Sequence, residues 1–447
     1  MMLRRTSHSV GALLLLLVAR GAEGSASGRP REPQAEFGRR QASSGAQSLK
    51  LLAGDGVTYN AFGKSVAVSS DGARVVVGAD YYYYDAEDAK GSAYVLDGAT
   101  GERLLKLVAS DGAKLDSFGN SVAVSSDGAR VVVGAFYDDD QGDRSGSAYV
   151  FDGTTGERLL KLVASDGAAS DEFGYSVAVS SDGARVVVGA AGDEDQGDRS
   201  GSAYVFDGTT GERLLKLLAS DGAAGDEFGI SVSVSSDGAR VVVGAAGDDD
   251  QGSGSGSAYV LDGTTGERLL KLVASDGAAG DFFGNPVAVS SDGARVVVGA
   301  AGDNDQGQGN DAGSAYVLDG TTGERLLKLV ASDGAEYNAF GNSVAVSSDG
   351  ARVVVGAYYD DDQGYHSGSA YVFDFTIVTT ETTATTTTDT GTSSATSSTT
   401  TIIKTTTKTA TTTTDTGMSS ETSNTTATTE PWRFIAVFAG VLILFLV

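Results

Sequence analysis

Clusters of carboxylates recur along this chain at a spacing of about 55 residues. They are Asp138-Asp139-Asp140 with Asp143, Asp193-Glu194-Asp195 with Asp198, Asp248-Asp249-Asp250, Asp303-Asn304-Asp305 and Asp360-Asp361-Asp362. Closely set carboxylates repel one another, and a hard cation held by oxygen ligands relieves that repulsion. The candidate calcium ligands are therefore Asp138, Asp140 and Asp143, with Asp193, Asp195, Asp198, Asp248, Asp250, Asp303, Asp305, Asp360 and Asp362 at the matching places. No loop carries a fuller calcium motif or a terminal bidentate acid, so a solvated acidic face is the competing reading.

Aromatic residues interleave with three of these regions. Tyr81, Tyr82, Tyr83 and Tyr84 form one run, Phe136 and Tyr137 a second, and Tyr358, Tyr359 and Tyr365 a third. Tyrosine gives rigid contact area with a polar tip, which suits a ligand-binding patch; local packing is the alternative. Other chemistry is scarce. Only two histidines occur, His8 and His366, so histidine-based metal or acid–base chemistry is nearly excluded. There is no cysteine, so no disulfide supports the fold. A net charge of −27 leaves no basic patch for nucleic acid.

The elements that must position these loops come from an internal repeat. The stretch FGYSVAVSSDGARVVVGA, starting at Phe173, starts again at Phe62, Phe118, Phe228, Phe283 and Phe340. In the third unit, Ser176 to Ser180 alternates with period two, as a half-buried strand does. Asp182-Gly183 marks a tight turn, and Arg185 to Val188 is a continuous β-branched run that suits a strand covered on both faces. Ala203-Tyr204-Val205-Phe206 and Arg213 to Leu218 make two further strands around a second glycine turn. Each unit thus gives four antiparallel strands, A to D, and six such sheets set radially form an all-β, six-bladed propeller over 47–375. Ser48-Leu49-Lys50-Leu51-Leu52-Ala53 matches strand D, while the sixth unit stops after strand C, so the N-terminal strand is expected to complete the last blade. A parallel β-helix or open solenoid is the other architecture compatible with the period.

The paired Phe-Gly and Gly-Ala of each unit resemble the FG-GAP repeat of integrin α-subunit propellers. The pairs are Phe62-Gly63 with Gly78-Ala79, Phe118-Gly119 with Gly134-Ala135, Phe173-Gly174 with Gly189-Ala190, Phe228-Gly229 with Gly244-Ala245, Phe283-Gly284 with Gly299-Ala300, and Phe340-Gly341 with Gly356-Ala357. The resemblance implies a propeller used for binding. It departs in two ways: integrin propellers carry more blades, and their A–B loops hold a D-x-D-x-D-G calcium motif. Here that loop is Ser-Ser-Asp-Gly-Ala-Arg, and one aspartate cannot supply six or more oxygen ligands. The family's calcium site does not carry over to Asp71, Asp127, Asp182, Asp237, Asp292 or Asp349.

Antiparallel connectivity sorts the loops onto two faces. In the third unit the B–C and D–A side carries Asp193, Glu194, Asp195, Asp198, Asp221, Asp226 and Glu227 against Arg199. The A–B and C–D side, with its strand ends, balances Asp182, Asp207 and Glu212 against Arg185, Arg213 and Lys216. The acidity is one-sided.

The flanks suggest a cell-surface protein. Residues 1–26 have the charged start, apolar run and small residues of a secretory signal, and 27–46 form a polar linker. The Thr/Ser-rich segment 376–430 has the composition of an O-glycosylated stalk, with Asn424 in a lone N-glycosylation sequon. In the tail 431–447, the apolar run from Phe434 would reach about 21 Å as a helix, short of a ~30 Å hydrocarbon core. A glycolipid-anchor signal and a short single span are the two readings. The expected function is non-enzymatic binding or adhesion, toward an extracellular protein or glycan, by a monomeric propeller anchored at its C-terminus. A structural wall or coat protein and a calcium-dependent propeller hydrolase are the alternatives.

Overall fold

The computed structural model describes residues 49–55, 60–81, 90–304, 310–362, 364–375 and 410–413. The signal, the linker, the tail, Asn424 and most of the stalk lie outside the described residues. Six four-stranded antiparallel sheets stand around a common axis, and no helix occurs among the described residues. The innermost strands of five sheets, and Asn285 and Pro286 just before that of the fifth blade, line a shared axial cavity.

Blade 3 shows how the sequence builds each unit. Its strands are Phe173–Val179, Arg185–Ala190, Ser202–Asp207 and Arg213–Leu217, paired in chain order. Val187 stands opposite Ala178 on one side and Val205 on the other, and Val205 stands opposite Leu215. The apolar residues of strands B and C are buried on both faces, as their unbroken apolar runs predict, because a neighbouring blade covers each face. Between blades 3 and 4, Val187, Ala203, Val205 and Leu217 meet Phe228, Val232, Val241 and Val243. The same interface recurs between blades 1 and 2, 2 and 3, 4 and 5, and 5 and 6.

The repeated Phe-Gly and Gly-Ala pairs make the closest approach in that interface, at Gly78, Gly134, Gly189, Gly244 and Gly299. Phe228 is fully buried, its ring edge-on to Tyr259 at 5.3 Å. Gly229 follows with φ +95°, a conformation that favours glycine. Its carbonyl oxygen lies where a Cβ on Gly189 of the preceding blade would be 1.9 Å away. The glycine of Val-Gly-Ala is thus required by the close approach of the next blade's Phe-Gly backbone.

The expected closure differs from what the described strands show. Strand C of blade 6, Ser369–Phe375, pairs with Ala410–Thr413 of the Thr-rich segment, not with the N-terminal segment. Residues 49–53 belong to none of the described strands, and Leu51 and Ala53 pack against Val75, Val77 and Tyr94 of blade 1. A strand D has two surfaces to satisfy: the edge of its own blade and the face of the following blade. The N-terminal segment satisfies the second alone.

Candidate functional site

The A–B turns resolve first. In blade 3 the Ser180 hydroxyl donates to Asp182 at 2.7 Å, and the Ala184 N–H donates to the same carboxylate at 2.9 Å. Asp182 is held below the ordinary carboxylate range by the Ser180 hydroxyl and the Ala184 N–H. The residue is a turn-former, as the sequence predicts. Ser181 also bonds Ser236 of blade 4 through both backbone and hydroxyl, so this face is a belt of serines tying blades together.

The opposite face carries the clustered acids, and they are not equivalent. The first acid of each B–C loop, Asp138, Asp193, Asp248, Asp303 or Asp360, is buried. In blade 3 one oxygen of Asp193 accepts the Asp195 N–H at 2.9 Å. The other accepts the hydroxyls of Ser202 at 2.8 Å and Tyr204 at 3.0 Å, and the Lys216 ammonium at 2.9 Å. Lys216 also pairs with Asp195 at 2.6 Å and with Asp166, from the D–A loop of the preceding blade, at 3.2 Å. Burial alone would lower the Lys216 ammonium, but its hydrogen bonds to Asp195, Tyr204 and Asp193 outweigh that and hold it above the usual lysine range. Burial likewise works to raise Asp193, and Lys216, the Asp195 N–H and Ser202 bring it below the usual range instead.

This constellation repeats. Lys161 joins Asp111, Asp138 and Asp140, and Lys271 joins Asp221, Asp248 and Asp250. Lys328 joins Asp276 and Asp303, and in blade 1 Lys106 joins Asp55 at 2.6 Å. Strand-D lysine therefore belongs with the acidic face. Lys216, expected from the sequence on the opposite face, lies here because it stands at the loop end of Arg213–Leu217.

Calcium needs six or more oxygens converging on one point. In blades 2 to 4 the inner carboxylate is already engaged by tyrosine and lysine, the third acid pairs with the same lysine, and Asp143 and Asp198 are exposed. Among the described residues no three acidic or histidine side chains are grouped to hold a metal. In blades 2 to 4 the donors as placed do not fit the ion. Asp305 lies outside the described residues.

A second set of buried carboxylates escaped the sequence reading. Asp116, Asp171, Asp226 and Asp281 precede each Phe-Gly by one intervening residue and are buried. Asp171 accepts the Ala168 N–H at 2.7 Å. Burial pushes Asp116 and Asp171 up to about 6, with Asp138 and Asp193 respectively adding repulsion, and raises Asp226 as well. Blades 1 and 6 carry Asn60 and Asn338 at this place, the neutral isosteres of a protonated aspartate, and that alternation was the available signal.

The aromatic candidates divide. Phe136 is buried with Tyr175, Ile230, Ala191 and Ala246 in a small cluster on the loop side, and Tyr137 packs on it under the Arg144 guanidinium. That pair is packing, not a free patch. Tyr82, Tyr83 and Tyr84 lie outside the described residues, and Tyr81 ends the second strand of blade 1. Blade 6 is different. Tyr358 and Tyr359 are both exposed with rings 4.6 Å apart, Tyr359 meets His366 at 4.7 Å, and Tyr365 stacks on His366 at 3.8 Å. Tyr365 is 84% exposed. By contrast Tyr94, Tyr149, Tyr204, Tyr259 and Tyr316 are core residues, as their fixed place in strand C predicts.

One further variable ring was missed. The residue after each Phe-Gly is Lys64, Asn120, Tyr175, Ile230, Asn285 or Asn342, and the last five line the axial cavity. Its signal was variation inside an otherwise constant stretch.

Comparison with protein families matches the FG-GAP repeat six times, over residues 46–96, 103–151, 158–206, 213–261, 268–318 and 325–373. No curated protein matches the chain.

Proposed function

The chain belongs to the FG-GAP repeat family, and from that premise we propose that it is a non-enzymatic binding protein displayed at the cell surface. The ligand is an extracellular protein or glycan that meets the acidic loop face at Tyr358, Tyr359, Tyr365 and His366. One observation carries this reading: the strand-C tyrosines of all six repeats and the Phe-Gly rings of blades 2 to 6 are buried, while blade 6 alone among the described residues presents a stacked, solvent-facing aromatic group. Stacked aromatics provide contact area at low entropic cost, and tyrosine is enriched where binding energy concentrates. The repeated Asp–Tyr–Lys sets support a structural rather than catalytic role for the carboxylates, because their lone pairs are engaged within the fold.

Display follows from the flanks: signal 1–26, glycosylated stalk 376–430 and tail 431–447 as a lipid-anchor signal or a short span. The test is binding of the secreted propeller and stalk to a glycan array and to extracellular proteins from the same cells. Saturable binding that Tyr365→Ser weakens supports the proposal, and binding to neither class sinks it. For the anchor, release from cells by a glycolipid-cleaving phospholipase distinguishes a lipid from a span.

A further inference from the structure

Within strand A, the near-identical units differ most at the residue after Phe-Gly. The Phe-Gly before it and the Val-x-Val beyond it are constant, because both pack one blade on the next. In blades 2 to 6 the variable residue is Asn120, Tyr175, Ile230, Asn285 and Asn342, and these five line one cavity on the ring axis. They stand at or just before the start of the innermost strands, where the chain arrives from the D–A loops, so their ring lies at the acidic-face end. The cavity has a volume of about 180 Å³. A cavity of about 150 Å³ already accommodates a six-membered ring.

The lining has an apolar side and an amide side. Tyr175 and Ile230, from blades 3 and 4, are buried and rest on Phe136, Ala191 and Ala246. Asn285 and Asn342, from the next two blades, are half-buried. The serines one residue further along are committed to the fold. Ser65 and Ser176 donate to the carbonyls of Gly119 and Gly229 at 2.9 and 2.8 Å, and Ser121 and Ser231 accept the N–H of Val177 and Val287 at 3.0 Å each. Asn120 donates to the Tyr175 carbonyl at 3.1 Å. Among the described residues the side-chain amides of Asn285 and Asn342 make no hydrogen bond. No charged side chain lines the cavity, although the loop face around it is acidic.

This lining sorts ligands by chemistry. A basic group finds no counter-charge inside, and an anion is repelled by the acidic loops. A purely apolar group leaves two amides desolvated and unpaired. A neutral ring bearing hydroxyls satisfies both sides. Each amide offers donors and an acceptor to neighbouring hydroxyls, and the C–H face of the ring rests on Tyr175 and Ile230. A ligand without sixfold symmetry also needs unlike groups around it, and the variable position supplies them on an otherwise repetitive axis.

We propose that the axial cavity is a second ligand site, for one neutral sugar ring, in which Asn285 and Asn342 hold the hydroxyls and Tyr175 and Ile230 the apolar face. It is distinct from the blade 6 aromatics and does not depend on them.

The probes are the methyl glycosides of glucose, galactose, mannose and N-acetylglucosamine, with N-acetylneuraminic acid as the anionic comparison. Each is titrated into the full-length chain by calorimetry and by saturation-transfer NMR. At least one neutral glycoside is expected to bind with a Kd of about 1 mM, the range open to a ligand of this size. The anionic sugar should bind about tenfold more weakly. Asn285→Leu and Asn342→Leu, made singly, should each weaken the neutral sugar about tenfold at an unchanged melting temperature. The triple variant Tyr358→Ser, Tyr359→Ser and Tyr365→Ser should leave its affinity unchanged. Failure of all four neutral glycosides to bind the parent chain overturns the site, whatever the variants do. Equal binding of the anionic sugar, or an affinity that neither leucine variant moves, overturns it as well. Loss of the sugar in the tyrosine variant places it at blade 6 instead, so failure of this site and failure of the blade 6 reading are told apart.

Discussion

Asp193 and Lys216 are the pair on which the loop face rests. The carboxylate is buried and uses both oxygens, and the lysine reaches three acids from two blades. Removing one partner of such a set leaves the other charge uncompensated. Lys216→Met is therefore expected to cost about 3 kcal/mol, read as a lower urea midpoint, while Asp143→Asn at an exposed position changes little. A second expectation concerns pH. Asp116 and Asp171 titrate near 6 in the fold, above the ordinary value of 3.8. Their contribution is fully present below the ordinary value and is lost as pH rises through about 6. Asp193 and Asp248 are held low, so their contribution is present above the ordinary value and is lost as pH falls below it. The melting temperature should rise on going from pH 7 to pH 5 and fall below about pH 4. The double variant Asp116→Asn with Asp171→Asn should flatten the rise; an unaltered rise would mean that bulk charge repulsion, not these two groups, causes it.

At the scale of elements, most of the architecture was legible. Period-two alternation marked strand A, the unbroken valine run marked strand B as covered on both faces, and Asp-Gly and Thr-Gly marked the turns. The destination of strand-D lysine was not legible from composition, because a long side chain takes its face from where it stands along the strand. The buried Asp116 set was hidden for a related reason: an acidic loop residue looks solvated until the neighbouring blade covers it. The aromatic candidates show the same limit. Phe136 and Tyr358 occupy matching places after Gly-Ala, yet one is buried beside Tyr175 and Ile230 and the other stands in solvent. A prediction belongs here too. Gly189→Ala places a Cβ against the Gly229 carbonyl, and neither backbone can yield without separating the blades. It should cost about 3 kcal/mol or more, or prevent folding, as measured by denaturant unfolding.

For the whole molecule, the excess of negative charge and the stacking of near-identical blades set the behaviour. If the proposed ligand is basic, one-sided acidity would steer it toward the loop face, and its association should slow as salt is raised. The ring closure expected from the sequence is testable at the same scale. Gly356 holds the place of Gly189, and its added Cβ would meet only Ser343 here, while Gly63 of blade 1 has open space beside it. A closed ring would bring Gly63 over Gly356, so Gly356→Ala should then destabilise as strongly as Gly189→Ala. A mild effect would speak for an open seam. The central claim is that the carboxylates build the face and the blade 6 aromatics do the binding. Its most direct measurement is ligand affinity of the triple variant Tyr358→Ser, Tyr359→Ser and Tyr365→Ser, compared with the parent chain at matched melting temperature. The expected result is an affinity loss of about tenfold or more with the fold intact; undiminished affinity in that variant would contradict the account.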